Sequence, residues 1–317
     1  MRKAKIGLLL YVFIIIVYIF AGCDFSQKAN SDVPQEEIEA IINERYKDKA
    51  VTIDTVVDVF TEADINSERI TQCLFNQLVT VIEEKDSWVK VKTDDGSMGW
   101  LRSKFIDRDC TSVKKELYTE KIVITGIKKP VYTNYGGGAT LKEVAMGTEL
   151  FVKGKKKNYY EVAVPGNLTG WVESKNTILV GADSPIPITS ADDFADTAVK
   201  FKDTQYLMGG TSAWEGIDGS GLVYISAKIN GIDLPRNALE QFEFIEDEIE
   251  NIENIKKGDL LFFSTNENLE DIADIGVYVG NDSFIYANKS KGRIEIANLK
   301  SDYFIKRLKG IKRIFSN

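Results

Sequence analysis

The sequence of 317 residues contains no histidine, and this absence excludes an imidazole as general base, general acid or metal ligand anywhere in the chain. It is also poor in cysteine, with three, and in proline, with six. Its net charge of −8 argues against a nucleic-acid partner, because such surfaces cluster lysine and arginine. The remaining composition, 44% hydrophobic and 28% charged, is that of a globular protein with cores of its own.

The first residues carry the pattern of an export signal. Three basic side chains precede an apolar run of 15 residues, Ile6 to Phe20, and small residues close the run. The run is shorter than the roughly 20 residues that span a bilayer. Residues 1–22 are therefore predicted to be a secretory signal peptide.

The end of this signal, "IFAGC", resembles the lipobox of bacterial lipoproteins, in which the cysteine is diacylated and becomes the mature N-terminus. The resemblance implies lipidation of Cys23, and two acyl chains are enough for stable attachment. Phe20 departs from the aliphatic residue usual there, and an uncleaved membrane anchor is the alternative. The protein is expected on the outer face of the bacterial cell membrane, with residues 23–49 as a polar tether and a short helix.

Two cysteines remain in the exported part, Cys73 and Cys110. An extracytoplasmic compartment permits a disulfide between them. A separation of 37 positions does not demand one, so a disulfide and two buried thiols both stay open.

An internal repeat follows, in which residues 78–101 align with residues 149–172 at a constant offset of 71. Both copies alternate apolar and polar residues and end in a Gly-Trp pair, as short antiparallel strands do. The pattern resembles bacterial SH3 domains, small barrels that often accompany cell-wall enzymes. Two such barrels are expected, over residues 50–110 and 120–180.

A proline-containing segment, Gly181–Ser190, separates these repeats from a third part with an α+β pattern. Ser190 is predicted to cap a helix whose third residue is Asp193, and a second helix is expected from about Gly219. Three strands and a final short strand follow. The acidic segment Glu240–Asp259 has isoleucines at helical spacing, so a solvated helix is expected there, with a partner surface as the alternative.

This third part, residues 188–317, resembles the NlpC/P60 family, papain-like cysteine peptidases that cleave peptidoglycan stem peptides, typically after γ-D-glutamate. Five blocks match in order: "YLMGGTSAWEGIDGSGLV", "GIDLPRNALEQ", "KKGDLLFF", "DIGVYVGNDSFIYA" and "KGIKRI". The fold class implied is multidomain, with two all-β SH3-like barrels followed by an α+β papain-like NlpC/P60 domain.

The family's catalytic positions hold different residues in this chain. The family has a cysteine at a helix N-terminus, a histidine that takes its proton, and a third polar residue that orients the histidine. The matching positions are Gly219, Asp274 and Tyr286, the last two at the family's spacing of 12. None of the three can replace its counterpart, so no catalytic residue is intact and a pseudoenzyme is predicted.

The positions that line the family's substrate groove are better kept. Tyr206, Asp218, Ser220 and Arg236 match residues of this groove, and in relatives the acid lies near the free amine of the stem peptide. Met208 replaces a tryptophan. The expected partner is a peptidoglycan stem peptide or an envelope protein.

The residues of this site leave three other questions. A hydrolase that uses Ser220 or another constellation is the alternative to a binding protein. Asp218 and Asp274 alone are a weak signal for a cation, so no metal or cofactor is predicted. In relatives with two upstream SH3 modules one module roofs the groove, but no motif identifies the roof residues in this chain.

Overall fold

A computed structural model describes residues 35–315 of the protein. The predicted signal peptide, Cys23 and most of the predicted tether lie outside the described residues. The described part begins with helix α1 (Gln35–Tyr46), whose Tyr46 hydroxyl donates a hydrogen bond of 3.1 Å to Glu116. No helix within residues 35–315 has both the length and the apolar character needed to cross a membrane.

The first β-domain, residues 49–107, is a seven-stranded antiparallel sheet in the order β3-β2-β6-β5-β4-β1-β7. Because side chains along a strand point alternately to the two faces of the sheet, valines such as Val59 and Val91 point into one shared core. The strands are β1 (Lys49–Thr52), β2 (Val56–Phe60), β3 (Arg69–Leu74), β4 (Leu78–Lys85), β5 (Trp88–Lys92), β6 (Met98–Arg102) and β7 (Ile106–Asp107).

The second β-domain, residues 120–181, repeats the first strand for strand. Its sheet has the order β10-β9-β13-β12-β11-β8-β14, which is the first order with seven added to each number. The internal repeat of the sequence is thus a repeat of topology. The strands are β8 (Glu120–Ile124), β9 (Lys128–Asn134), β10 (Gly137–Ala145), β11 (Glu149–Lys156), β12 (Tyr159–Val164), β13 (Leu168–Glu173) and β14 (Thr177–Gly181).

The glycine of each Gly-Trp pair lies where two neighbouring antiparallel strands approach each other closely. A Cβ atom built on Gly99 would lie 2.4 Å from the carbonyl oxygen of Phe60, and one on Gly170 would lie 2.3 Å from Cγ1 of Val131. These separations are far below van der Waals contact. Only glycine therefore lets β6 and β13 approach β2 and β9.

The C-terminal domain packs helices α2 (Ala191–Val199) and α3 (Gly219–Ile229) on one face of a five-stranded sheet, β20-β19-β18-β17-β21. Strand residues with side chains on this face share one core with the two helices, while an aromatic cluster covers the other face. The remaining elements are β15 (Thr211–Ser212), β16 (Gly216–Ile217), α4 (Ala238–Phe244), β17 (Leu260–Phe263), β18 (Asp274–Gly280), β19 (Ser283–Asn288), β20 (Arg293–Asn298), α5 (Asp302–Ile305) and β21 (Leu308–Lys312).

The predicted helix cap at Ser190 is confirmed. Its hydroxyl oxygen accepts from the Asp193 N–H at 3.1 Å, and the Asp193 carboxylate accepts from the Ser190 N–H at 3.2 Å. This reciprocal pair satisfies two N–H groups that the helix leaves free.

The prediction of a solvated helix along the acidic segment is wrong beyond Phe244. Helix α4 ends at Phe244, and the backbone of the next residue, Ile245, is extended. The Ile249 N–H then donates to the carbonyl of Ile311 at 2.9 Å, and Glu248 forms a bridge with Lys312. Pairing with the edge strand β21 therefore replaces the helical hydrogen bonds that the isoleucine spacing suggested.

Cys73 and Cys110 are both free thiols in the structure. They are buried in different clusters, Cys73 in the core of the first β-domain and Cys110 beside Tyr46. Burial raises the pKa of both thiols, that of Cys110 to about 11. Of the two possibilities that the sequence leaves open, the structure contains the unpaired thiols.

We predict that Gly99→Ala lowers the stability of the first β-domain by about 1–3 kcal/mol, because the new methyl group overpacks a site closed by backbone. Gly126→Ala is the matched control, since its Cβ would meet nothing closer than 3.3 Å. Thermal unfolding of both full-length variants checks this prediction. Equal melting temperatures for the two would contradict it.

Candidate functional site: a peptide groove beside an altered catalytic centre

Helix α3 and strand β18 bring together Gly219 and Asp274, two of the three positions that the sequence analysis matched to catalytic residues of the family. Gly219 is the first residue of α3, and Asp274 is the first residue of β18. A Cβ built on Gly219 would lie 3.0 Å from Oδ1 of Asp274 and 3.2 Å from the carbonyl oxygen of Ile275. The Asp274 carboxyl group thus lies against the space that a side chain at position 219 would use.

Asp274 is half-buried at this position. Its Oδ1 accepts a hydrogen bond of 3.0 Å from the N–H of Ile275. Burial raises the pKa of the carboxyl group to about 6, with a contribution from nearby Asp218 and against the opposing effect of Lys289. The charge of this carboxyl group therefore changes around pH 6. The group faces a glycine, so it has no thiol or hydroxyl beside it at position 219.

The third family position, Tyr286, is directed to other partners. Its hydroxyl donates to Glu295 at 3.2 Å and accepts from the Asn288 amide at 2.8 Å. Burial, together with Glu295, raises the pKa of the phenol. The ring belongs to the aromatic cluster that covers the outer face of the sheet. Tyr286 is therefore a neutral group held by Glu295 and not an orienting partner of Asp274.

Asp218, which is partly buried, and Arg236, which is buried, form an ion pair at the start of α3. Both carboxylate oxygens of Asp218 accept from the guanidinium, at 3.1 and 3.2 Å. They also accept from the N–H groups of Gly221 at 2.6 Å and Gly209 at 2.8 Å. Arg236 is 4% exposed and donates in addition to the carbonyl of Gly210 at 2.9 Å. The pair ties the glycine turn to the helix N-terminus.

The hydroxyl of Ser220, the candidate alternative nucleophile, is held by the same pair. It accepts from Arg236 at 2.9 Å and donates to Asp218 at 3.2 Å. Arg236 stays protonated, and Asp218 is already saturated with donors. Neither neighbour can take a proton from Ser220, so the structure offers it no general base. The same donors occupy the oxygens that Asp218 would need to bind a cation.

Tyr206 is near enough to the carboxyl groups of Asp218 and Asp274 for both to act on its phenol. Burial raises the pKa of its phenol, with further contributions from Asp218 and Asp274. Its backbone forms a bridge with Ile217, next to the cap of α3. The four predicted groove residues thus surround the start of one helix.

The groove has a roof, which the sequence did not identify. A cavity of about 600 Å³ separates the C-terminal domain from the first β-domain. Two segments of the first β-domain form its roof, residues 68–70 and residues 95–98. The opposite wall contains Asp218, Ser220 and Arg236, with Met208 and Glu240 at its rim.

Hydrogen bonds fix the first β-domain over the glycine turn. The Gln72 amide accepts from the N–H of Thr211 at 2.9 Å and donates to Glu215 at 2.9 Å. Arg69 donates to the carbonyl of Met208 at 3.1 Å. No sequence motif identifies these residues. Their roles depend on partners about 140 positions away in the chain, which a local pattern does not reveal.

The turn itself admits no side chain at this contact. Gly209 has a φ of +70°, and a Cβ there would lie 2.3 Å from the carbonyl oxygen of Arg69. Both the backbone conformation and the closeness of the first β-domain therefore require glycine.

The free charges of the groove are acidic. Arg69 is paired with Asp58 at 2.6 Å, and Arg236 is neutralised by Asp218. Glu68 and Glu240 line the groove and form no ion pair among the described residues. Such a groove favours a ligand that carries an ammonium group.

Comparisons with known proteins agree with this architecture. Residues 203–313 match the model of the NlpC/P60 family, residues 55–107 match the bacterial SH3 domain, and residues 114–177 match the GW (Gly-Tryp) dipeptide domain. A solved NlpC/P60 family protein from Bacillus cereus superposes with a TM-score of 0.76 at 23% identity, over 84% of this chain and 99% of that one.

Two curated relatives span most of the chain. A γ-D-glutamyl-L-lysine dipeptidyl-peptidase of Bacillus cereus is 27% identical over 77% of this chain and 74% of its own length. Another of the same name, from Bacillus subtilis, is 29% identical over 78% of this chain and 81% of its own length.

The fold is therefore an all-β SH3-like region followed by an α+β domain of the NlpC/P60 kind. The chain carries an NlpC/P60 domain behind bacterial SH3 domains and is homologous to the NlpC/P60 cell-wall peptidases. The fold class and the family predicted from the sequence are confirmed.

We predict that Asp274→Asn raises stability at pH 7.5 by about 2 kcal/mol and leaves it unchanged near pH 4. The folded-state pKa of about 6 exceeds the ordinary value of 3.8. The buried carboxyl group therefore favours folding while protonated, and this contribution is lost as the pH rises through 6. Asparagine keeps the acceptor for Ile275 without the charge.

Chemical denaturation at pH 4, 6 and 7.5 measures this difference. Asp233→Asn, an exchange of the same kind at an exposed position of the same domain, serves as control and is expected to have no pH-dependent effect. An Asp274→Asn variant with the same pH profile as the parent would refute the account of Asp274.

Proposed function

We propose that this protein is a non-catalytic binding protein of the bacterial cell envelope, which uses an NlpC/P60 scaffold to hold peptidoglycan stem peptides. The observation that carries the proposal is the pairing of Gly219 with Asp274. A Cβ atom built on Gly219 would lie 3.0 Å from Oδ1 of Asp274. Glycine itself has no side chain that could act as a nucleophile.

The lost chemistry supports a binding role over a residual hydrolase. Covalent peptidase chemistry needs a nucleophile and a base that accepts its proton. Gly219 supplies no nucleophile, the sequence has no histidine, and the Ser220 hydroxyl is bound between Arg236 and Asp218. Asp274 has a pKa suited to proton transfer, but a base without a nucleophile or an oriented partner falls short of the family mechanism.

The groove supports peptide as the ligand. Two relatives across most of the chain are named γ-D-glutamyl-L-lysine dipeptidyl-peptidases. In this chain the retained wall, the roof from the first β-domain and the unpaired Glu68 and Glu240 form an acidic cleft. A stem peptide with a free amino end matches that charge. An envelope protein that presents an ammonium group is the other partner considered.

The location follows from the N-terminal pattern. A secretory signal that ends in "IFAGC" would attach the chain to the outer face of the cell membrane through Cys23. The tether before α1 would let the groove reach the cell wall. Membrane attachment and wall binding are consistent with each other in this arrangement.

We predict that the full-length protein does not cleave stem peptides that contain a γ-D-glutamyl-L-lysine bond. Gly219→Cys alone is expected to remain inactive, because Asp274 would contact the new side chain and oppose its thiolate. Gly219→Cys, Asp274→His and Tyr286→His together are expected to regain slow cleavage. Chromatography of the products measures each step, and cleavage by the unmodified protein would overturn the proposal.

We predict that stem peptides with a free amino end bind the full-length protein more tightly than N-acetylated ones, by about fivefold or more. Glu240→Gln and Glu68→Gln are expected to reduce this preference, because each removes a free carboxylate from the groove. Glu243→Gln, on the exposed side of the same helix as Glu240, is the control. Calorimetric titration gives the affinities. Equal binding of both peptides by all variants would argue against the acidic groove as the binding site.

We predict that Cys23→Ala releases the protein from the membrane fraction or blocks its processing, since it removes the atom that would carry the lipid. Fractionation of cells and measurement of the mass of the mature chain check this. Unchanged attachment and mass would favour an uncleaved anchor instead.

A further inference from the structure

A second cavity, of about 690 Å³, lies on the aromatic face of the C-terminal sheet. Its walls come from the ends of β17, β18 and β19, from β20 and from the segment around α5. It shares no lining residue with the peptide groove in the described structure. Asp274 and Tyr286, at two of the altered catalytic positions, belong to this cavity.

The floor of the cavity is aromatic. Tyr286 and Phe304 meet edge to face, with ring centroids 5.1 Å apart and an interplanar angle of 81°. Tyr303 packs against Phe304 in the same manner, with centroids 5.0 Å apart. The Tyr303 side chain is 60% exposed, a high value for a large aromatic residue. Flat apolar groups pack well on such rings.

Arg307 presents incompletely used donors at the edge of this floor. Its guanidinium lies 4.2 Å from the centre of the Tyr303 ring, and Nη1 donates to the Tyr303 carbonyl at 3.0 Å. Its Nε is buried and has no acceptor among the described residues. The nearest carboxylate, Glu267, is 4.0 Å away and 56% exposed, so that pair contributes little. This buried Nε is closed off from the cavity, whereas Nη2 forms no hydrogen bond with the described residues and is the donor left for a ligand oxygen.

Lys289 supplies a second cation that is not paired. Its ammonium donates to the carbonyl of Ala273 at 3.2 Å and forms no ion pair within residues 35–315. Two other charged residues of the cavity, Lys291 and Glu295, form an ion pair with each other at 2.9 Å. Glu295 also accepts from Asn288 at 2.6 Å. Lys289 and Arg307 are therefore the two cations of the lining without a close ion pair, and Lys289 lies near enough to Asp274 to favour its charged form.

We propose that this cavity binds a small organic carboxylate with a flat apolar part. The carboxylate oxygens lie between Arg307 and Lys289, and the apolar part rests on Tyr286 and Phe304. Guanidinium and ammonium donors form their strongest hydrogen bonds with carboxylate. The cavity shares no lining residue with the peptide groove, although Asp274 in its wall lies against Gly219, and the proposal does not rest on the function proposed above.

Benzoate and benzamide, which differ in charge but not in shape, test the proposal. Titration of the full-length protein, followed by calorimetry, is expected to give millimolar binding of benzoate and at least about fivefold weaker binding of benzamide. Lys289→Met and Arg307→Lys are each expected to weaken benzoate by about fivefold or more. Lys300→Met removes an exposed cation outside the cavity and is expected to leave the affinity unchanged.

Equal binding of benzoate and benzamide would overturn the proposal, as would no binding of benzoate. Lys289 is exposed, so its replacement leaves the fold intact and decides the question if the Arg307 variant is unstable. Unchanged benzoate affinity in Lys289→Met, with its melting temperature preserved, would also overturn it.

Discussion

The ion pair between Asp218 and Arg236 is the interaction on which the rest of the site depends. Four N–H donors converge on one partly buried carboxylate, two from the guanidinium and two from the backbone of the turn and the helix. Removing Asp218 would leave the buried guanidinium of Arg236 uncompensated, which costs about 3–5 kcal/mol. The ion pair fixes the turn at Gly209. Arg69 and Gln72 of the first β-domain form hydrogen bonds with this turn, which hold the domain in place. The roof of the groove thus depends on a contact in its opposite wall.

The second β-domain secures the other end of helix α3. Glu149 accepts from Lys228, in the last turn of α3, at 3.2 Å and from Lys121 at 2.8 Å. Although burial opposes it, the two lysines lower the pKa of Glu149 to about 2. Met146 belongs to the same buried core as Ile225 of the helix. One helix is therefore held at its start by an ion pair within its domain and at its end by an ion pair to a β-domain, so the three parts pack as one body around it.

This scaffold does not depend on the chemistry that its relatives perform. Leu222 and Ile225 of α3 share one buried core with Ile275 and Val277 of β18, and none of these four side chains takes part in the family's chemistry. Gly219 and Asp274 are compatible with each other, since the absent side chain leaves room for the carboxyl group. A fold can persist while its site changes, and function has to be argued from the site. In this chain the carboxyl group of Asp274 and the phenol of Tyr286 line an aromatic cavity.

The sequence by itself determined the features that are written locally. The cap at Ser190, the repeated strands and the identity of the residues at the catalytic positions follow from periodicity, capping and motif order. It failed at the acidic segment, where helical spacing was overruled by backbone pairing of Ile249 with Ile311. Only the tertiary structure decided the roof over the groove and the partners of Ser220 and Tyr286. These depend on contacts between residues far apart in the chain, and no local pattern encodes the relative position of two domains.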